Sequence, residues 1–411
     1  MKKLLLFVFL VFCAASVRAA DSLTLKECYD LALKRSETIG IQKELIRETE
    51  GLILQSLGTA LPKVAFAYSQ KWQDEGKQQI NGGYAPEAKF TLTQPLFTGF
   101  KEFAAIGASK HVGKQRQAEL QRARELLFTD VSDAFYLYLS YQEDEATVQG
   151  IAKAAEDRLA ELKKREAIGR SRTSEVASAD AQLKRTEALL ESVRAQREVA
   201  GQLLEFLIGR SVDQLKDGDL PEEKGSLDEL AGKIDQRADV VAARESFESF
   251  KNNVTAARSA FFPSVSIGGN AYTKRSDTYE GNDWDTTLTV SVPIFNGTTD
   301  IGSYAQAKAQ KNEADLRLSL VRRQALLDLK SAYTKWQAAG RTLLALQKAL
   351  DASEKNYQLQ QEDFNHSLVN NLDVLQALQD LESVRRDYVA AKSNAKRAYW
   401  NLKVATGDIE K

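Results

Sequence analysis

The chain has 411 residues, with 56 Lys+Arg against 57 Asp+Glu, 43% hydrophobic and 27% charged, two Cys, two His, one Met and six Pro. A net charge of −1 without a basic run leaves no electrostatic footprint for nucleic acid, and Cys13, Cys28, His111 and His366 are too few and too scattered for a tetrahedral zinc site or a disulfide framework. High charge with so few prolines points to long helices.

At the start, Lys2 and Lys3 precede an apolar run from Leu4 to Val17 and then Arg18-Ala19-Ala20, which reads as a secretory signal peptide over 1–19. The run is short of the roughly 20 residues a spanning helix needs. A lipid anchor on Cys13 is the alternative, and Phe12 stands where such a signal requires a small residue. Without Lys2, Lys3 and Arg18 the mature chain has 53 basic against 57 acidic residues, and Cys28 has no partner for a disulfide.

The remainder is a duplication. Gln94-Pro95-Leu96-Phe97-Thr98-Gly99 returns as Val292-Pro293-Ile294-Phe295-Asn296-Gly297 at an offset of 198, which also carries Glu175-Val176 onto Asp373-Val374 and Leu207-Ile208-Gly209 onto Ala405-Thr406-Gly407. Repeat 1 covers 20–209 and repeat 2 covers 227–411, with a polar, turn-rich linker over 210–226. Each repeat opens with a helical stretch, Leu23 to Ala60 or Leu227 to Phe261, that ends at a proline. Two strands follow, over 63–97 and 263–295, joined by loops holding Asn81-Gly82-Gly83 and Tyr279-Glu280-Gly281-Asn282. Val64, Phe66, Tyr68 and Trp72 alternate with Ala65, Ala67, Ser69 and Lys71, and Leu288, Val290 and Val292 with Thr287, Thr289 and Ser291. Each strand therefore has an apolar and a polar face. Pro95 and Pro293 are expected to end strands, and Gly99 and Gly297 to permit the strand-to-helix bend.

Helical hairpins follow over 100–209 and 298–407. Leu127, Val131, Ala134, Tyr138, Tyr141, Val148, Ala152, Ala155, Leu159 and Leu162 fall on steps of four and three, interrupted at Glu145, and the offset maps the pattern onto Ala325, Leu329, Ala332 and Trp336. Such heptads predict helices packed side by side. A descending arm of about 60 residues would run about 90 Å, and the shorter return arm matches it only if the helix before each strand pair stacks on its end. Four strands leave two open edges, which lipid does not tolerate; closed membrane barrels begin near eight strands, and three chains would give twelve. Tyr68, Trp72, Tyr272, Tyr279 and Trp284 suit an interfacial girdle. The rival reading is a secreted coiled-coil scaffold or adhesin whose small sheet caps a bundle. No nucleophile–base pair, phosphate loop, metal set or cofactor motif stands out, so an enzyme is not expected.

With its strand pairs introduced by Leu61-Pro62 and Phe262-Pro263, its Pro-x-Phe-x-Gly strand ends and its turn Ser367-Leu368-Val369-Asn370-Asn371-Leu372-Asp373-Val374-Leu375, the whole mature chain resembles the TolC-like outer-membrane efflux proteins. The resemblance implies a mainly α fold with a membrane β-barrel: a homotrimer with a twelve-stranded barrel in outer-membrane lipid and an α-helical tunnel in the periplasm. It also implies no cofactor, a periplasmic adaptor (membrane fusion protein), and an inner-membrane pump or ABC secretion ATPase as the energised partner in efflux or type I secretion. Asp373 falls where the family places an acidic ring at the periplasmic pore constriction, with Glu175 its counterpart; the alternative for both is a helix N-terminal carboxylate. Gln376 and Val369 stand where relatives carry a second acid and a mouth-locking arginine. The adaptor-contacting tips would be Gly169, Arg170, Ser171, Thr173 and Val176 in repeat 1 and Ser367, Leu368, Val369 and Val374 in repeat 2.

Overall fold

The computed structural model describes residues 22–72, 84–212, 214–218, 225–275, 281–366 and 368–409. The signal segment, both strand-connecting loops up to residue 280, and Ser367 lie outside them. The elements are α1 (Leu25–Arg35), α2 (Glu37–Ala60), β1 (Lys63–Trp72), β2 (Tyr84–Thr98), α3 (Lys101–Ala167), α4 (Thr173–Ile208), α5 (Leu227–Ala231), α6 (Ala238–Arg258), β3 (Ser264–Lys274), β4 (Trp284–Ser291), α7 (Thr299–Asn365) and α8 (Asn371–Thr406). The offset of 198 carries α3 onto α7 and α4 onto α8 end for end: 67 residues in each long arm and 36 in each return arm.

Two expectations are corrected here. The stretch before each strand pair is not one helix. Ser36 caps α2, its Oγ accepting from the Ile39 N–H at 3.4 Å, and in repeat 2 the 3₁₀ turn Ile234–Gln236 separates α5 from α6. Nor does Pro95 end its strand: β2 continues to Thr98 through a register shift between Pro95 and Phe97, because a bulge accommodates a residue without an N–H. Pro293 lies two residues beyond β4.

The contacts of the chain form two compact units that each draw on both repeats. One comprises Met1–Arg35, Asp130–Glu222 and Arg341–Arg397. In it α1 starts at a capping box, where the Thr24 N–H donates to Glu27 at 2.8 Å and the Glu27 N–H to Thr24 Oγ1 at 3.3 Å. Cys28 and Ala32 are fully buried, and burial pushes the Cys28 thiol up to about 11, so it stays protonated and inert. Val131, Ala134, Val148, Ala155, Leu159 and Leu162 are buried as the heptads require. The polar interruption, Glu145, is buried too, and its charge is met by Arg194 at 3.2 Å and Arg197 at 2.6 Å from α4. Arg386 of α8 makes a forked pair with Asp144 at 2.9 and 3.0 Å.

The other unit comprises Ser36–Thr129, Glu223–Gly340 and Ala398–Lys411 and holds the sheet. Its helical core gathers Leu230, Ile234, Val240, Ala325, Leu329 and Leu402. Arg237 is 2% exposed there and is satisfied by Asp239 at 2.6 Å, Asp328 at 3.0 Å and the carbonyls of Ala325 and Ala405. The sheet is antiparallel in the order β1-β2-β3-β4, which among the described residues leaves β1 and β4 with an unpaired edge each.

Candidate functional site: the two-faced sheet and the hairpin tips

Register decides which side chains share a face of the sheet. Val64 lies opposite Leu92, Phe66 opposite Phe90, Ile267 opposite Leu288 and Val265 opposite Val290. Phe66, Phe90, Leu92, Leu288 and Val290 are nonetheless exposed, so one face is an apolar surface that the described residues leave uncovered. Trp72 and Trp284 are exposed at the strand ends nearest the connecting loops. Tyr272, expected in the same girdle, is on the opposite face: Ala271 pairs with Trp284, so its neighbour turns away, and the Tyr272 hydroxyl donates to Asp285 at 2.6 Å. Tyr279 lies outside the described residues. The polar face carries Lys63, Lys89, Thr91, Thr93, Asn270, Asp285 and Thr287. Lys89 pairs with Glu87 at 2.8 Å, and Arg275 lies 3.9 Å over the Tyr272 ring.

At the junction of β2 and α3, Gly99 has φ +66 and Phe100 φ +69. A Cβ on Gly99 would sit 2.8 Å from the Ser259 carbonyl oxygen and the Phe262 Cβ, so both the backbone angle and the space demand glycine. Gly297 has φ +63 with open space around it, so only its angle demands glycine.

In the first unit the hairpin tips close on a cluster of Ala155, Leu159, Leu162, Ala179, Leu183, Phe364 and Val374, with Val176, Tyr357 and Val369 packed against it. Arg158, whose side chain is 8% exposed, lies 3.8 Å over the Phe364 ring and donates from Nε and Nη2 to Asn371 Oδ1 at 3.0 and 2.9 Å. Its Nη1 meets Glu161 at 3.0 Å, and Arg165 stands 4.5 Å from the same ring. One guanidinium thus links α3, α7 and α8. Sequence reading passed over Arg158 and named Asn371 only as part of the turn, because partners 213 positions apart share no local pattern.

Both candidate mouth acids cap helices. The Asn370 N–H donates to Asp373 at 3.0 Å while the Leu372 and Asp373 N–H groups donate to Asn370 Oδ1 at 2.7 and 3.2 Å. Glu175 accepts from the Ser171 hydroxyl at 2.6 Å and the Arg172 N–H at 3.1 Å, and these bonds, the hydroxyl's first, hold its carboxyl below the usual range. Asp373 remains exposed. Gly169, with φ +73, closes α3 in a Schellman turn, the Arg170 N–H reaching the Arg165 carbonyl at 2.8 Å. Gly169, Arg170, Thr173, Leu368 and Leu372 are exposed and Ser171 is half-buried. Val374 is 1% exposed, which takes it off the tip surface, and Val176 and Val369 pack inward beside it.

The profile of the outer membrane efflux protein family matches residues 29–210 and 233–408, the two repeats in turn. The chain is 23% identical to the outer membrane efflux protein BepC of Brucella suis over 382 residues, covering 87% of this chain and 80% of BepC. It is 24% identical to outer membrane protein TolC of Vibrio cholerae over 314 residues, covering 70% and 71%. Its fold matches the crystal structure of the outer membrane protein VceC of Vibrio cholerae with a TM-score of 0.82 at 20% identity, over 93% of this chain and 96% of that one.

The chain belongs to the outer membrane efflux protein family. It is a non-catalytic channel-tunnel of the outer membrane with its helices in the periplasm, and the secreted-scaffold reading falls. Among the described residues no helix is long and apolar enough to cross a membrane.

Proposed function

We propose that three copies join edge to edge, β4 of one to β1 of the next, into a twelve-stranded barrel whose apolar face meets lipid and whose polar face lines the duct. The observation that carries this is the exposed apolar face bounded by two open edges: lipid accepts the face but not the edges, so only closure with further strands satisfies both. Four strands are too few to close alone. Asp373 and Glu175 then ring the periplasmic mouth, where three copies focus negative potential while each carboxylate still caps its helix. The exposed tips, Gly169, Arg170, Thr173 and Leu368 with Ile168 and Leu372, are the contact surface for a periplasmic adaptor, and an inner-membrane transporter supplies the energy. Fractionation followed by native mass spectrometry in detergent tests this: a membrane-bound trimer is expected. A monomer in the soluble periplasmic fraction would overturn the reading.

A further inference from the structure

The two strands that lead into the long arms end differently. β2 runs on from Thr93, where its pairing with β1 stops, to Thr98, because β3 continues beside it: Gln94 lies opposite Ile267 and, past a bulge at Leu96, Phe97 lies opposite Val265. β4 stops at Ser291, where its pairing with β3 stops, and among the described residues no strand flanks its other edge. The residues that follow, Val292 to Phe295, repeat Gln94 to Phe97 at the offset of 198 yet stand outside any strand. Ile294 is 95% and Phe295 85% exposed, whereas Phe97 is half-buried with its ring 5.3 Å from that of Phe100. The duplication identifies the neighbour that β4 lacks. Leu61-Pro62 returns as Phe262-Pro263 at an offset of 201, so β1 corresponds to β3 as β2 corresponds to β4. These two offsets carry the pairings of Lys63 with Thr93 and of Phe66 with Phe90 onto those of Ser264 with Ser291 and of Ile267 with Leu288, without a slip. Applied to the β2 and β3 pairings, they call for β1 beside β4, and within one chain these two strands lie at opposite borders of the sheet.

We infer that β4 of one copy pairs with β1 of the next in the register that β2 keeps with β3, and that Val292–Phe295 becomes strand only when this second copy arrives. Ser291 then lies opposite Ala67, Val292 opposite Phe66 and, past a bulge at Ile294, Phe295 opposite Val64. This rests on the edge-to-edge assembly proposed above and adds its register and a segment that folds on contact. The register joins like with like, Val292 with Phe66 and Phe295 with Val64 on the apolar face and Ser291 with Ala67 on the other. A slip of one residue would set Val292 against Ala65 or Ala67, across the faces. Pairing also gives the backbone of Val292–Phe295 the partners that lipid does not supply. Pro293, which has no N–H, falls beside the bulge just as Pro95 does.

Cysteine pairs read the register in the full-length protein in detergent, where its own Cys28 is fully buried. Successive pairs in an antiparallel ladder alternate between close and wide, so Ser291→Cys/Ala67→Cys and Val290→Cys/Tyr68→Cys together include one of the close kind. On mild oxidation that pair is expected to link copies about tenfold faster than either pair slipped by two residues, Ser291→Cys/Ser69→Cys or Val290→Cys/Gln70→Cys. Equal or faster linking in a slipped pair overturns the register, as does no linking in any of the four when native mass spectrometry shows a trimer. A monomer overturns the assembly itself. Hydrogen exchange reads the folding segment: in the trimer, peptides holding Val292–Phe295 are expected to be as protected as those holding Gln94–Phe97. Exchange at the rate of an open loop overturns the conversion to strand.

Discussion

Glu125, 2% exposed on α3, shows how a single buried charge reports on pH. Burial raises its carboxyl pKa, against the pull of Arg122 at 3.0 Å. A raised folded-state value means that its stabilising contribution is present below the ordinary carboxylate pKa and is lost as pH rises through the raised one. Glu125→Gln is therefore expected to raise the thermal midpoint at pH 7.5 and to change it little at pH 4, as scanning calorimetry in detergent would show; equal shifts at both values would contradict the assignment. Asp373 belongs to the same scale. Asp373→Asn keeps an acceptor for the Asn370 N–H, so α8 stays capped, while in the proposed trimer the mouth loses three charges. The expected result is weaker block by multivalent cations in planar bilayers with an unchanged thermal midpoint.

Among elements, the two strand-to-helix bends make an internal comparison. Gly297→Ala meets only the positive φ, costing about 1–2 kcal/mol. Gly99→Ala meets the same angle and also places a methyl 2.8 Å from backbone oxygen, so it is expected to cost more, measured as the difference in unfolding free energy between the two variants. These bends were legible in the sequence because Gly99 and Gly297 recur at a fixed offset just before the helical period returns. Alternation in Val64, Phe66 and Tyr68 gave the strands, and steps of four and three gave the long arms, since both signals are local and periodic. What stayed hidden has no period. Ser36 is a single cap-forming residue inside an otherwise helical stretch, and its non-helical ψ of 116, with the Ile39 N–H on its Oγ, separates α1 from α2. The turn that places Arg237 depends on partners 88 and 168 positions away. At the tips, the family resemblance put Val374 among the adaptor contacts, whereas its burial in the cluster of Leu159 and Phe364 follows from packing between hairpins. Tyr272 was misplaced for a simpler reason: one residue of register exchanges the faces.

For the whole molecule, the two faces of the sheet should respond oppositely to charge. In the proposed barrel, Leu288→Arg or Phe66→Arg puts a cation on the lipid side, at about 2–4 kcal/mol near the bilayer midplane, and is expected to reduce recovery of membrane-inserted protein. Thr287→Arg, on the opposite face from Leu288, would then point into the duct and should insert normally while altering conductance. Insertion of both kinds of variant alike would reverse the assignment of inside and outside. The Arg158 link among α3, α7 and α8 acts at this scale too, since it ties the tips of both repeats within one chain.

The equal lengths of the paired arms, 67 with 67 and 36 with 36, constrain how such a chain can change. Adding one residue to a single arm swings everything beyond it by about 100°, carrying the apolar seam off its neighbour. Seven added residues restore the seam but leave that arm out of step with its counterpart in the other repeat. Tolerated growth or shortening is therefore expected in whole heptads, made in both repeats together, so that the length of each kind of arm behaves as one inherited dimension rather than two independent ones.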